Sequence, residues 1–170
     1  FPCKDAIGGI VEVLFAKSSD VTYGAISAGA VSDIDGTVDF KRYELTKNSG
    51  SFQQTVTSSI ENGTVFYEQV LTMQMPKLEA SLNNTVLQLL KNKLTVIVRD
   101  TNDNFHIMGY EFDAEVTGGT LGTGTAKGDL NGYNLVFTSQ EKQPAPFGPD
   151  LSNASVVSGL TGTVTIDPEY

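Results

Sequence analysis

Tryptophan is absent from this chain of 170 residues, and cysteine and histidine occur once each, as Cys3 and His106. A lone cysteine excludes a disulfide within the chain and leaves no second thiolate for a zinc site. A lone histidine leaves little for general acid–base catalysis, which uses histidine most often. We therefore expect His106 to be an ordinary strand residue, and we predict a protein that is not an enzyme and uses no cofactor or metal.

Basic residues and long apolar runs are also scarce. Eleven lysines and arginines stand against twenty aspartates and glutamates, which gives a formal net charge of −9. Because proteins that grip nucleic acid need clustered basic residues, this balance excludes a nucleic-acid-binding surface. No apolar run approaches the roughly 20 residues that a membrane-spanning helix needs. The composition therefore predicts a soluble protein, and the length fits one domain.

The clearest local signals lie between residues 61 and 100, which are expected to form a strand, a helix and a strand. Residues 64–75 are rich in strand-forming side chains, and the preceding Asn62-Gly63 pair is expected to supply the positive φ angles of a tight turn. Pro76 is expected at the first position of the helix. Residues 94–98 predict an interior strand. The helix should pack through an apolar stripe that recurs every three or four residues, formed by Leu78, Leu82, Val86, Leu89 and Leu90.

Strand signals dominate the remainder of the chain. Residues 10–15 predict a first strand, residues 16–36 a loop with one short strand, and residues 37–75 a three-stranded antiparallel meander. Its middle strand, residues 51–59, has only Phe52 and Val56 as apolar residues, so much of both its sides should face water or polar neighbours. A hairpin turn at residues 100–104 is expected to lead into a strand at residues 105–112. Further strands are expected in the Gly/Thr-rich stretch 115–133 and at residues 133–139. We expect a β domain over residues 1–142, followed by a proline-rich linker and a C-terminal strand or arm over residues 143–170.

Two patterns imitate chemical sites. Asp100, Asn102, Asn104 and Glu111 have the spacing of a calcium loop, but Phe105 occupies the position where that loop needs glycine. The flanking residues also alternate as strands, so a hairpin turn is the better interpretation. Asp113 and Glu115 are two residues apart and would share a strand face as paired carboxylates, but no acid–base partner is identifiable for them.

Several segments, in their order and spacing, resemble the tail tube proteins of tailed bacteriophages or closely related virion structural proteins. The likeness spans about residues 5–142. It rests on residues 63–69 (GTVFYEQ), 96–100 (VIVRD), 116–119 (VTGG), 123–129 (TGTAKGD) and 131–133 (NGY).

The resemblance implies a mainly β fold, an antiparallel β-sandwich or barrel with one packed α-helix. It also implies that six copies close into a ring and that rings stack into a tube that conducts DNA without binding it specifically. The partners would be further copies and other tail proteins, with the protein in the virion tail and in the host cytoplasm during assembly. Combining this with the polar meander, we expect a long hairpin to line an acidic lumen as part of a multimeric inner barrel, through Asp39, Lys41, Glu44, Gln53, Thr55, Thr57 and Glu68.

Three alternatives remain. The inner tube of a contractile injection device uses the same architecture, and the sequence does not separate it from a phage tail tube. A non-enzymatic β-sandwich binding module of a virion would need aromatic residues clustered on a concave face, yet the chain has no tryptophan. A small hydrolase or isomerase would have to rely on Asp113 and Glu115.

Overall fold

The computed structural model describes residues 6–152 and 162–168, except for the side chains of residues 81, 82, 167 and 168. It is mainly β, with several sheets and, among the described residues, one α-helix. In chain order the elements are β1 (Ile10–Lys17), a 3-10 turn (Ser18–Asp20), β2 (Thr22–Tyr23), β3 (Ile26–Ser27), β4 (Ala30–Val31), β5 (Ile34–Asp35), β6 (Thr37–Glu44), β7 (Gly50–Ser59), β8 (Thr64–Pro76), α1 (Ala80–Lys91), β9 (Leu94–Asp100), β10 (Phe105–Met108), β11 (Glu115–Gly122), β12 (Gly132–Glu141) and β13 (Thr163–Pro168).

A five-stranded sheet has the order β10-β9-β1-β6-β13. Its pairs are antiparallel except for β13, which runs parallel to β6. The expected interior strand at residues 94–98 is confirmed, because β9 lies between β10 and β1 and all five of these residues are buried. The short apolar run has this position because both of its faces need cover.

A four-stranded antiparallel sheet has the order β11-β12-β8-β7. The predicted strand at residues 133–139 is confirmed as the middle of β12, in which Leu135 and Phe137 are both buried. Strand β11 carries a register shift between Val116 and Gly118, as the glycine-rich composition indicates.

The predicted three-stranded meander over residues 37–75 is wrong. Strand β7 pairs with β8, as expected, but β6 belongs to the five-stranded sheet, where it pairs with β1 and β13. The burial of the two strands explains the separation. Four residues of β6 are buried on its two faces, namely Val38, Phe40, Arg42 and Tyr43, whereas no residue of β7 is fully buried. A strand with a continuous buried face fits the interior of the covered sheet, and a polar strand fits an edge.

Two apolar clusters cover the five-stranded sheet on both faces. One lies between the two sheets and contains residues such as Phe15, Val96, Leu71 and Phe137. The other, on the outer face, joins β1, β6, β9 and β13 to Val31, Ile34 and Leu151. Residues 22–35, where one short strand was expected, form four strands of two residues each that contribute to this cover.

The helix begins later than predicted. Pro76 ends β8 instead of starting the helix, and Lys77, with a φ of 73°, turns the chain away from the strand. Leu78 is therefore outside the helix, although it packs on the core, while Val86 and Leu89 are buried as expected. The prediction for Leu90 is wrong, because its side chain is 47% exposed. The helix buries a narrower stripe than expected, and the Leu82 side chain lies outside the described residues.

Both expected hairpin turns are present. In the β9–β10 turn the Asp100 carboxylate accepts hydrogen bonds from the backbone N–H groups of Asn102 and Asn104 at 2.8 and 2.9 Å. In the β7–β8 loop, residues 60–63, only Gly63 has a positive φ, of 61°, so the expectation that Asn62 shares it is wrong. The loop has four residues between the paired Ser59 and Thr64, longer than a two-residue turn.

The proline-rich segment after β12 covers an edge of the five-stranded sheet. The Ile107 N–H donates to the Pro146 carbonyl at 2.9 Å, and the Gly148 N–H donates to the Phe105 carbonyl at 2.7 Å. The segment is irregular, as expected, and a terminal strand follows as β13. Residues 153–161 and 169–170 of the expected C-terminal arm lie outside the described residues. In the described part of the chain, no helix has the length and apolarity needed to cross a membrane.

Candidate assembly surface

The four-stranded sheet has one face on the core and one face that no described part of the chain covers with an apolar cluster. Because opposite residues of paired strands share a face, the register defines this outer face strand by strand. Its side chains are mostly hydroxyl and amide groups and are half-buried or exposed. They include Gln53, Thr55 and Thr57 of β7, Phe66, Glu68, Val70 and Thr72 of β8, Asn134, Val136, Thr138 and Gln140 of β12, and Glu115, Thr117 and Thr120 of β11.

Four of the seven residues expected in the lumen hairpin meet on this outer face. Thr55 lies opposite Glu68, which in turn lies opposite Gln140 on β12. Thr57 lies opposite Phe66, and Gln53 opposite Val70. The structure therefore brings Gln53, Thr55, Thr57 and Glu68 together on two adjacent strands.

The other three expected residues lie on β6 in the other sheet. The Lys41 Nζ is 3.3 Å from the Asp39 Oδ2, and the Thr165 hydroxyl donates to the Asp39 Oδ1 at 3.0 Å. The Asp39 and Lys41 side chains line a groove beside α1. Glu44 is exposed at the end of β6, opposite Glu12. Asp39, Lys41 and Glu44 therefore do not belong to the hairpin surface, because the strand that carries them pairs elsewhere.

The sequence expectation missed the contribution of β11 and β12 to this face. Its signal was present in residues 133–141, where the buried Tyr133, Leu135 and Phe137 alternate with Asn134 and Val136. Successive side chains of a strand point to opposite faces of the sheet. The buried residues therefore mark the core side, and the residues between them mark a second face.

Strand β7 is an unusually open edge of this sheet. Its ten residues, GSFQQTVTSS, include no charge and no proline, and its register with β8 is continuous from Gly50 to Ser59. Charges, prolines and bulges are the features that natural edge strands use to avoid pairing with another chain, and β7 has none of them. The other edge, β11, is interrupted by its bulge, and the edge of β10 is covered by residues 146–148. Of these three edges, β7 is therefore the one best suited to accept another strand.

The β7–β8 hairpin also projects beyond its neighbour. Strand β12 ends at Glu141, opposite Tyr67, so residues 57–66 extend past the last β12 pair. Three apolar side chains in and beside this projection are exposed: Val56 by 59%, Ile60 by 97% and Val65 by 53%. The projection thus has apolar surface but little support from the rest of the fold.

A buried carboxylate anchors the loop beside the projection. Glu141 accepts hydrogen bonds from the N–H groups of Glu111 and Phe112 at 3.0–3.2 Å and from the Ser139 hydroxyl at 3.1 Å. Burial raises the pKa of Glu141 above its ordinary value, although these hydrogen bonds act in the opposite direction. At the surface, the Lys142 Nζ lies 2.5 Å from the Glu111 carboxylate. Glu141 thus fixes the chain that enters β11.

The residues considered for chemistry are not assembled into a recognisable reactive site. Asp113 has a φ of 63° and precedes β11, so it does not share a strand face with Glu115; its carboxylate accepts a hydrogen bond from Ser18 and lies 3.7 Å from the Lys93 Nζ. The His106 Nε2 is 3.3 Å from the Asp100 Oδ2. Among the described residues no group of three or more His, Cys, Asp or Glu side chains could hold a metal ion.

Comparison of the chain with known protein families, curated proteins and solved structures found no match.

Proposed function

We propose that this protein is the structural subunit of a phage tail tube, in which the four-stranded sheets of successive copies join into a closed inner barrel around a DNA-conducting channel. The observation that carries the proposal is the uncharged, uninterrupted β7 edge beside a polar outer face. A lone sheet with such an edge gains backbone pairing when another strand joins it, and closing a ring removes the exposed edges.

The strand directions favour a ring. Each strand of the four-stranded sheet is antiparallel to its neighbour, so the edge strands β7 and β11 run in opposite directions. Strand β7 of one copy can therefore pair antiparallel with β11 of the next while both copies keep the same direction along the tube axis. Such a head-to-tail contact closes when the rotation between copies divides a full turn. The resemblance to tail tube proteins implies six copies.

The chemistry of the outer face suits a channel for DNA. The four strands, all of whose residues the structure describes, contain no lysine or arginine, and the outer face carries the carboxylates of Glu68 and Glu115. Hydroxyl and amide side chains keep such a wall wet, and carboxylates repel phosphates over a Debye length of about 8 Å at physiological salt. This face would therefore let a polyanion slide without holding it.

The proposal is tested with purified protein by electron microscopy and sedimentation velocity over a range of concentrations. We expect rings or tubes that leave duplex DNA free in a filter-binding assay. A Val56→Lys variant should keep the wild-type circular dichroism spectrum and lose the assemblies, because it places a charge on an edge that has none. Leu90→Lys is the matched control, since it replaces a similarly exposed apolar residue on α1.

Two results would contradict the proposal. One is a wild-type protein that stays monomeric under every assembly condition. The other is a Val56→Lys protein that assembles as well as the Leu90→Lys control.

A further inference from the structure

The chain contains two Asn-Gly pairs, Asn62-Gly63 and Asn131-Gly132, which the sequence alone does not distinguish. This dipeptide is the one in which an asparagine side chain is most easily attacked by the following backbone nitrogen, because glycine has no side chain to hinder the approach. The attack needs the backbone around the pair to rearrange. The surroundings of each pair therefore decide whether it reacts.

Asn62-Gly63 lies at the exposed end of the projecting hairpin. Both residues are exposed, their neighbour Ile60 is 97% exposed, and the Cβ position of Gly63 faces open space. The Asn62 N–H makes only a long hydrogen bond of 3.4 Å to the Ser59 hydroxyl. Because glycine populates a wide range of φ and ψ angles, this loop can reach the reactive geometry without disturbing the sheets.

Asn131 is exposed as well, but the backbone of the Asn131-Gly132 pair is held by neighbouring strands. Gly132 is the buried first residue of β12 and is paired with Pro76 on one side and Gly122 on the other. The Asn131 carbonyl accepts a hydrogen bond of 2.6 Å from the Lys77 N–H. The Met75 and Pro76 backbone closely approaches Gly132, so a rotation there requires β12 to separate from β8.

We propose that Asn62 is a site of spontaneous deamidation in the folded protein and that Asn131 is protected. The Gly63 nitrogen loses its proton to solvent base and bonds to the Asn62 side-chain carbonyl carbon; the carbon–nitrogen bond of the side-chain amide breaks, and ammonia leaves. Water then opens the cyclic imide at either carbonyl, which gives aspartate or isoaspartate. Either product adds a carboxylate beside Glu61, and isoaspartate also lengthens the backbone of the hairpin loop by one carbon.

The experiment incubates the folded protein at mildly alkaline pH and measures conversion by tryptic peptide mapping with mass spectrometry. Cleavage after Lys47, Lys77, Lys127 and Lys142 places Asn62 and Asn131 on separate peptides, and fragment ions separate them from Asn48 and Asn134. We expect Asn62 to convert at least about tenfold faster than Asn131, because Asn131 must wait for local opening of the sheet.

Two controls accompany the measurement. In concentrated denaturant the two pairs should convert at similar rates, which shows that folding protects Asn131. The Asn62→Gln variant should retain an unmodified loop under the conditions that convert the wild type. Equal rates in the folded protein, faster conversion of Asn131, or an Asn62 that converts only in denaturant would each overturn the proposal.

Discussion

The two sheets of this protein share one apolar core but differ on their other faces. The outer face of the five-stranded sheet is covered by a second apolar cluster and includes the buried Glu12, whose carboxylate lies 3.6 Å from the Arg42 Nε and 3.5 Å from the Arg99 guanidinium. The outer face of the four-stranded sheet is polar and ends in the open edge strand β7. The first sheet has apolar clusters on both faces within one chain, whereas the second has one polar outer face and an uncharged edge strand.

This difference indicates where substitutions act. Changes on the outer face of the five-stranded sheet should affect the free energy of unfolding. Changes on the outer face or edge of the four-stranded sheet should leave the monomer stable and, under our proposal, affect assembly.

The largest effect is expected from Arg42→Ala on the five-stranded sheet. Its guanidinium faces Glu12 and donates to the Leu151 carbonyl at 2.6 Å, and both charged side chains are nearly buried. Arg42→Ala removes one of the two cations beside the buried Glu12 carboxylate and leaves Arg99 at 3.5 Å; breaking a buried ion pair typically costs about 3–5 kcal/mol of unfolding free energy. Urea unfolding measures the loss. The neighbouring Lys41→Ala should cost less than about 1 kcal/mol, because its pair with Asp39 is partly exposed; equal losses would contradict the contrast.

A second comparison removes apolar side chains from the outer faces of both sheets. Ile97, on β9, is fully buried, so Ile97→Ala should lower the unfolding free energy by about 2–5 kcal/mol. Val70, on β8, is only half-buried, and Val70→Ala should cost less than about 1 kcal/mol in the monomer, since less apolar surface returns to water. Thermal and urea unfolding under monomeric conditions check both values. A larger loss for Val70→Ala would mean that its face is covered within one chain.

The smallest effect compares the two hairpin ends. Burial alone would raise the pKa of Asp100, but hydrogen bonds from Asn104, Asn102 and His106 outweigh it and lower that pKa below the ordinary 3.8. The carboxylate therefore stabilises the fold above pH 3.8, and this contribution disappears as the pH falls through the lowered pKa. Asp100→Ala should cost about 1 kcal/mol at neutral pH.

The pH dependence gives this comparison its control. The difference between Asp100→Ala and the wild type should narrow as the pH is lowered below 3.8. At the other hairpin end, Glu61→Ala should change stability by no more than about 0.5 kcal/mol, because Glu61 is exposed in the loop. A constant difference for Asp100→Ala across this range would show that its carboxylate does not act through its charge.

Local patterns predicted most of the strands and one helix. The alternation around Leu135 and Phe137 identified a half-buried strand, and the apolar run at residues 94–98 identified an interior one. Predictions that depended on contacts in the tertiary structure were less accurate. Pro76 fits the first turn of a helix as well as the end of a strand, and the positive φ of Lys77 decides between them. Leu90 fits the apolar stripe by spacing, but the narrow contact of α1 leaves it exposed.

The sequence by itself determined that β7 is too polar to be buried, that its hairpin partner is β8, and that the four strands of that sheet carry no positive charge. Only the tertiary structure decided that β6 leaves this hairpin for the other sheet and that β11 and β12 complete the polar face. The physical reason is that side-chain periodicity is a property of neighbouring residues, whereas strand pairing is decided by the burial available to the whole chain. Strand β6 pairs with β13, more than a hundred residues away, because its apolar side chains Val38 and Phe40 are covered there.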